Sequence, residues 1–153
     1  MTTDEIERIC HERHFVHVTS HVADPLPASV GLAVLEVLVR DRLAERAVLM
    51  GKRPEAGLRA LADRYEFIGD VRGRGLLWGV ELVRDRVSRE PHPELGARIT
   101  RRCLELGLSM NIVSLPRLAS VWRIAPPLTV SDAELDAGLG ILDRAIRESL
   151  ASR

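Results

Sequence analysis

The sequence predicts an α+β fold in which several helices pack on one small, largely antiparallel sheet of three or four strands. Three observations lead to this prediction. Apolar residues recur at helical spacing over a long stretch, from Pro27 to about Arg64. Two pairs of short apolar segments, each pair joined by a turn or loop, have strand character. A capping-box motif then opens a last helix near residue 131.

The first half of the chain is predicted to be helical. A short helix begins near Thr3 or Asp4, either of which can cap its N-terminus, and covers most of MTTDEIERICHERHF. The long stretch that follows forms one helix or two, because Gly51 and Pro54 can bend or break it. The residues of its buried face recur every three or four positions: Leu32, Leu35, Val39 and Leu43.

A β-hairpin is predicted next, with residues 68–72 paired to residues 75–83. Gly73 and Gly75 turn the chain, since glycine accepts the positive φ angles of tight turns. The RGRG sequence at this turn is not a phosphate-binding loop, because it lacks the lysine and Ser/Thr of a P-loop and does not lead from a strand into a helix.

The second half continues with a helix, two strands and a helix. ELGARITRRCLELG is amphipathic and ends at Gly107, a typical helix stop. LSMNIV and SVWRIAP are predicted strands, and LPRLAS is the loop between them. Ser131 followed by Glu134 forms a capping box, so a helix is expected over SDAELDAGLGILDRAIRESL.

The composition is that of a soluble globular domain. The chain has 22 basic and 22 acidic residues among its 153, so neither nucleic acid nor an anionic membrane surface is an expected partner. Cys10 and Cys103 form no CxxC pair, no apolar run is long enough to span a membrane, and the N-terminus is too polar for a signal peptide. We therefore expect a reduced, cytoplasmic protein. Lys52 is the only lysine.

Four histidines near the N-terminus raise the question of a zinc site. They occupy positions 11, 14, 17 and 21, close to Cys10, but this spacing matches no standard zinc finger. His11 and His14 share one face of the predicted helix, and the other two follow its end. We interpret the four as polar surface or interface residues.

Two other places have residue types suited to binding. Arg123 lies among apolar residues on a predicted strand, where an arginine either fixes a carboxylate through two parallel hydrogen bonds or is an ordinary surface cation. The turn VTSHVADPLP presents Ser20, Asp24 and several carbonyl groups beside two prolines. These oxygen atoms suit a hard cation or, through the hydroxyl, a phosphate, and the alternative is a plain helix cap.

Four segments together resemble the C-terminal part of the class III aminotransferases, fold-type-I enzymes that depend on pyridoxal 5′-phosphate. GDVRGRGLLWGVEL and RIAPPLT are shared across the class, whereas the DPLPA turn and LGLSMNIV are closer to the 2,2-dialkylglycine decarboxylases, its decarboxylating transaminases. The segments cover nearly the whole chain in the family's order. They are TSHVADPLPASVGLAVLEVL, IGDVRGRGLLWGVELVRDR, REPHPELGARITRRCLELGLSMNIV and WRIAPPLTVSDAELDAGLGILDRAI.

The resemblance implies roles for individual residues. Ser20 matches the hydroxyl residue that reaches the cofactor phosphate of the partner subunit across a dimer interface. Ser20, Val22 and Asp24 match side-chain and carbonyl ligands of a potassium ion in the decarboxylases. Arg123 matches the arginine that binds the substrate carboxylate. The implied substrates are an amino acid, a 2,2-dialkylglycine in the decarboxylases, and a keto acid that accepts the amine.

The resemblance also implies that part of the enzyme is missing from this chain. In the family, the lysine that forms a Schiff base with the cofactor precedes the region matched here, and Lys52 lies instead in the polar GKRPE break. The chain is therefore expected to be inactive alone. It would act in a homodimer or larger assembly, or with a missing N-terminal cofactor domain. Two alternatives stay open: an ordinary class III ω-amino acid or amine transaminase, and a non-catalytic partner or truncated fragment.

The same resemblance divides the chain into three parts. Residues 1–24 would be the end of the large cofactor domain, including the phosphate and cation turn. Residues 25–64 would be a connecting helical segment with a long interface helix. Residues 65–153 would be the C-terminal small domain of a fold-type-I enzyme.

Overall fold

The computed structural model describes residues 3–16, 24–115 and 119–151. The chain divides into two compact units, Met1–Asp41 and Arg42–Arg153. None of the helices in the described residues combines the length and the apolar character that a bilayer span requires.

The first unit contains two helices that begin at side-chain caps. Helix α1 (Asp4–Glu12) is capped by Thr3, whose hydroxyl oxygen accepts a hydrogen bond from a backbone N–H of the first turn at 3.3 Å. Helix α2 (Pro25–Arg40) starts slightly earlier than predicted, because Asp24 caps it and proline is well suited to the first helical position. Neither helix has a buried residue, so the face predicted to be buried through Leu32, Leu35 and Val39 is exposed in this chain. The apolar side chains that α2 exposes are Leu26, Val30, Leu32, Val34, Leu35, Val37 and Val39.

The long predicted helical stretch is in fact three helices, one more than the sequence suggested. After α2 come α3 (Leu43–Met50) and α4 (Lys52–Arg64). The break between α3 and α4 is at Gly51, as the sequence indicated. The break before α3 is at Arg42, whose φ of 48° lies in the left-handed region. Arginine carries no sequence signal for that conformation, so this break was not foreseen.

Four antiparallel strands form a single sheet, which confirms the predicted fold class. They are β1 (Ile68–Arg74), β2 (Leu77–Leu82), β3 (Asn111–Leu115) and β4 (Ala119–Ile124), and their spatial order is β1-β2-β4-β3. β1 pairs with β2 and β3 with β4, and the β2–β4 pairing joins the two hairpins. Gly75, with a φ of 58°, makes the first hairpin turn as predicted, whereas Gly73, also predicted to turn the chain, lies within β1 opposite Trp78.

Three helices, α4, α5 (Pro93–Glu105) and α6 (Asp132–Ala151), pack with the sheet around one core. Trp122 is fully buried in it, and its indole N–H donates to the Thr100 hydroxyl at 3.0 Å. That hydrogen bond removes the cost of burying the indole N–H. The apolar residues buried with Trp122 include Leu58, Ile68, Val80, Leu82, Ile99, Leu142 and Ile146.

The predicted capping box at the start of α6 is present. The Ser131 N–H donates to the Glu134 carboxylate at 2.8 Å, and the Glu134 N–H donates to the Ser131 hydroxyl at 3.3 Å. The hydrogen bond from the Ser131 hydroxyl, followed by that from its backbone, lowers the pKa of Glu134. The cap fixes where the chain re-enters a helix after β4.

Within this chain, α4 packs against β1 and α6 and so belongs to the second unit. The proposed boundaries after residues 24 and 64 concern the domains of a longer enzyme, and they stay predictions.

Candidate functional site

The candidate site lies on the face of the sheet that points away from the buried tryptophans, called here the outer face. Side chains alternate between the two faces along a strand. On β4, Trp122 is buried and the next residue, Arg123, is exposed. On β2, Gly79 lies between Trp78 and Val80, which are both buried. Arg123 and Gly79 therefore share the outer face.

Four residues form a row across this face, the arginine row. Strand pairing sets Arg72 opposite Gly79, Gly79 opposite Arg123, and Arg123 opposite Asn111. Directly opposed residues of an antiparallel pair have Cβ atoms only about 5 Å apart and point to the same side. The row thus has a guanidinium on each side of a position without a side chain.

Arg123 is the arginine of the row that makes no ion pair with a described residue. Its side chain is exposed, and no described residue forms a hydrogen bond or ion pair with it. A guanidinium has five N–H donors in a planar fork that matches the two oxygens of a carboxylate. The residue predicted to bind a carboxylate therefore has the exposure and the free donors that this role requires.

Arg72, at the other end of the row, is already neutralised. Its guanidinium contacts the carboxylates of Asp70 at 2.8 Å and Glu81 at 3.2 Å, and Arg89 also contacts Glu81 at 2.8 Å. The pKa of Arg72 is raised, chiefly by the hydrogen bond to Asp70. Within the row, the guanidinium of Arg123 is consequently the group that an incoming anion would contact.

A cavity of about 760 Å³ opens beside the end of β4. Arg123 and Asn111 contribute to its lining, and most of the other lining residues are apolar residues of α4, of α6 and of the chain around the start of β3 and the end of β4. A cavity of this size suits a small molecule, and an apolar wall with few polar groups is typical of such sites. Gly79 and Arg72 do not line this cavity, so the cavity and the arginine row share only Arg123 and Asn111.

The segment that follows β4, residues 125–130, is held in place by Arg46 of α3. Its guanidinium donates to the backbone carbonyl of Leu128 and, at 2.6 Å, to that of Val130. Leu128 and Val130 also pack in a small apolar cluster that includes Ala47 of α3. Arg46 therefore joins α3 to the end of the strand that bears Arg123.

The predicted phosphate and potassium turn is described only at its end. Ser20 and Val22 lie outside the described residues. Asp24 is half-buried, and one of its carboxylate oxygens accepts a hydrogen bond from the Leu26 N–H at 3.2 Å as the cap of α2. The alternative interpretation of the turn as a helix cap is thus correct for Asp24, and the ligand roles of all three residues stay predictions.

Lys52 is the first residue of α4 and is exposed, as its place in the polar GKRPE break suggested. The neighbouring Arg53 is tied to Asp132 at 3.0 Å and to Asp136 at 2.7 Å, both on α6. The only lysine of this sequence is therefore an exposed residue at the start of a helix.

Metal ligands do not cluster in the described part of the chain. Among those residues, no group of three or more histidine, cysteine, aspartate or glutamate side chains could hold an ion. His11 and His14 are exposed near the end of α1, and His17 and His21 lie outside the described residues.

Three members of the arginine row, Arg72, Gly79 and Asn111, were not identified as site residues from the sequence. The alternation in LSMNIV does place Asn111 and Val113 on one face of a strand, so a weak signal existed. The pairing of Asn111 with Arg123, and of Gly79 with both arginines, depends on which strands meet in the sheet. That information is long-range and is not contained in any local pattern.

Comparison with known proteins identifies a family. Residues 1–146 match the family model described as Aminotransferase class-III. An uncharacterized aminotransferase of Schizosaccharomyces pombe is 44% identical over 146 residues, which are 95% of this chain and 33% of that protein. A leucine/methionine racemase of Thermococcus litoralis is 36% identical over 132 residues, covering 86% of this chain and 29% of the racemase.

Solved structures give the same result. A transaminase from the marine bacterium Virgibacillus superposes with a TM-score of 0.80 at 25% identity, covering 98% of this chain and 35% of the transaminase. The chain spans about a third of the length of the proteins it matches.

Proposed function

The chain belongs to the class III aminotransferases, which depend on pyridoxal phosphate, and we propose that it is the C-terminal part of a transaminase in which Arg123 binds the substrate carboxylate. One observation carries this proposal. Arg123 is an exposed arginine on the outer face of the sheet, and no described residue occupies its hydrogen-bond donors. Enzymes of this family act on amino acids and keto acids, both of which have a carboxylate for such a group to bind.

The neighbours of Arg123 support this role. Trp122, on the buried face of the same strand, anchors the strand in the core, and Arg46 holds the segment after the strand. Asn111, directly opposite, adds an amide that can donate to a second carboxylate oxygen or orient the guanidinium. A binding group on a rigid strand holds its ligand more accurately than one on a loop.

Lys52 is poorly placed to anchor the cofactor. Pyridoxal phosphate needs a lysine for its Schiff base, and the only lysine, Lys52, is exposed at the start of α4. Ser20, the proposed phosphate ligand, lies outside the described residues. We therefore propose that the lysine and most of the cofactor site belong to a part of the enzyme outside this sequence, and that the chain is inactive alone.

The finer proposal is a decarboxylating transaminase that acts on 2,2-dialkylglycines and transfers the amine to a keto acid. It rests on the DPLPA turn, where Ser20, Val22 and Asp24 would help to hold a potassium ion and Ser20 would contact the phosphate of a partner subunit. An ordinary class III transaminase without decarboxylation agrees equally well with the family match. The racemase among the relatives indicates that the region this chain represents is shared by proteins of different activity.

A chimaeric enzyme would test the proposal. This chain would replace the matching segment of the Schizosaccharomyces pombe aminotransferase, to which it is 44% identical, and transfer of amine to pyruvate would be measured with a panel of amino donors. Losing a bidentate contact should cost about 2–5 kcal/mol, so Arg123→Ala should lower kcat/KM by roughly 30-fold or more. Arg123→Lys keeps the charge but loses the fork and should remain impaired.

Arg98→Ala is the matched control, because Arg98 is also exposed and lies on α5, away from the outer face. Equal kcat/KM for the chimaera and both Arg123 variants would reject the proposed role. A chimaera that folds and binds the cofactor but transfers no amine would favour the non-catalytic alternative.

The same chimaera separates the two kinds of transaminase. Release of carbon dioxide from 2-methylalanine, with activity that falls when sodium replaces potassium, is expected of the decarboxylating enzyme. Asp24→Asn removes a formal charge from the proposed cation site and should weaken potassium activation more than cofactor binding. Transamination without carbon dioxide release, indifferent to the cation, would leave the ordinary transaminase.

The isolated chain offers a test of its own. Mixed with pyridoxal phosphate, it should not develop the stable, stoichiometric visible band of a protein-bound Schiff base. If such a band forms and disappears in Lys52→Ala, then Lys52 is the anchor and the chain holds its own catalytic lysine.

A further inference from the structure

Gly79 occupies a position where glycine normally lowers the stability of the folded protein. It lies in the middle of β2, which is an interior strand between β1 and β4. A glycine there adds backbone freedom to the unfolded chain and packs no side chain, so it weakens a strand. Glycine within a strand usually marks a bulge, a bend, or a place where a ligand or another backbone approaches closely.

The fold of this chain does not require glycine at this position. The φ angle of Gly79 is outside the left-handed region, and the pairing of β2 with β4 is regular through it. A Cβ added to Gly79 would meet its nearest neighbour, the Cγ1 of Val121, at 3.5 Å, an ordinary contact distance. By contrast, a Cβ on Gly73 in the adjacent strand would collide with the carbonyl oxygen of Leu77 at 2.3 Å.

The missing side chain leaves a notch in the arginine row. Neighbouring strands are about 4.8 Å apart, so the backbones of Arg72 and Arg123 are separated by about 10 Å with only Gly79 between them. Arg72 is engaged by Asp70 and Glu81, whereas no described residue engages Arg123. The notch over Gly79, bordered by a methyl group of Val121 and the side-chain stem of Arg72, thus adjoins the one guanidinium of the row that no described residue engages.

We propose that Gly79 is a specificity-determining residue, whose bare backbone accommodates the aliphatic part of a small carboxylate held by Arg123. This inference rests on the proposed function, because it assumes that Arg123 binds a carboxylate. The ligand class is a short aliphatic carboxylate such as an amino acid or keto acid. The volume over Gly79 limits the size of the group next to the carboxylate.

The proposal predicts opposite effects on folding and on binding. Gly79→Ala should leave the chain as stable as the wild type or more stable, because a Cβ fits and alanine restricts the unfolded backbone. Gly79→Ala and, more strongly, Gly79→Val should weaken carboxylate binding by filling the notch. The matched control is Gly140→Ala on α6, where an added Cβ has no neighbour within 4 Å.

The experiment uses the 153-residue chain labelled with ¹⁵N and titrated with pyruvate. The Nε–H signal of Arg123 is assigned by its loss in Arg123→Gln, and urea unfolding of each variant gives its stability. The wild type and Gly140→Ala should show the same saturable shift of this signal. In Gly79→Val the apparent dissociation constant should rise by about fivefold or more.

The outcomes separate this inference from the proposed function. Equal pyruvate binding by the wild type and Gly79→Val, or a Gly79→Ala variant clearly less stable than the wild type, overturns the role of Gly79 and leaves Arg123 untouched. A wild-type chain in which pyruvate does not shift the Arg123 signal overturns the carboxylate site itself, and the role of Gly79 with it.

Discussion

Replacing Arg46 by alanine tests how the segment after β4 is held. The guanidinium makes two hydrogen bonds to backbone carbonyls of this segment, those of Leu128 and Val130. A hydrogen bond from a charged donor contributes about 1.5–3 kcal/mol, but Arg46 is only half-buried and water can replace part of each bond. We therefore expect Arg46→Ala to lower the free energy of unfolding by about 2 kcal/mol in total.

Urea unfolding followed by tryptophan fluorescence suits this measurement, since Trp78 and Trp122 are both buried in the core of the second unit. A loss of about 2 kcal/mol corresponds to a fall of roughly 10 °C in Tm for a domain of this size. Amide hydrogen exchange in residues 125–130 should also quicken, because this segment loses its anchor.

Two further variants sharpen the result. Arg46→Lys can reach only one of the two carbonyls and should retain about half of the lost stability. Arg59→Ala is the control, because it removes an exposed ion pair with Glu55 on α4 and should cost no more than about 0.5 kcal/mol. If Arg46→Ala is as stable as Arg59→Ala, and exchange in residues 125–130 is unchanged, Arg46 does not hold the segment in place and our reasoning is wrong.

Three other predictions concern the core, the thiols and helix α2. Ser120→Ala should raise the free energy of unfolding by about 1 kcal/mol in urea, because the Ser120 hydroxyl is buried without a hydrogen-bond partner among the described residues; an unchanged or lower value would point to a partner. Burial raises the pKa of the Cys103 thiol from 9.0 to about 11, so a thiol reagent should modify Cys10 before Cys103 at pH 8. The free energy of unfolding should also fall as the pH rises from 9 towards 11, and this fall should be absent in Cys103→Ala. The exposed apolar residues of α2 should make the chain self-associate, so the double variant Leu32→Glu/Leu35→Glu should shift sedimentation towards the monomer, and a wild type that stays monomeric at all concentrations would contradict this.

The fold followed from the sequence where a local signal carried it. The Ser131–Glu134 capping box and the glycine turn at residue 75 depend on neighbours in sequence, and both were found where they were predicted. The break at Arg42 escaped prediction because arginine has no intrinsic preference for the left-handed conformation that it adopts there.

The candidate site was predictable only in part, for a related reason. An arginine among apolar strand residues marked Arg123 as a binding candidate. The importance of Gly79 and Asn111 comes from strand order, which brings β2 and β3 to either side of β4. Two-residue alternation assigns a face to each residue but does not say which residues of other strands share it.

The order of the four strands also bears on how the protein folds. Each hairpin closes a short loop, so β1–β2 and β3–β4 can form early and independently at little entropic cost. The β2–β4 contact must wait until the chain containing α5 has closed a much larger loop. We expect docking of the two preformed hairpins to limit the folding rate. Trp122, which lies opposite Val80 at that seam, should therefore be among the residues whose contacts are already formed in the transition state.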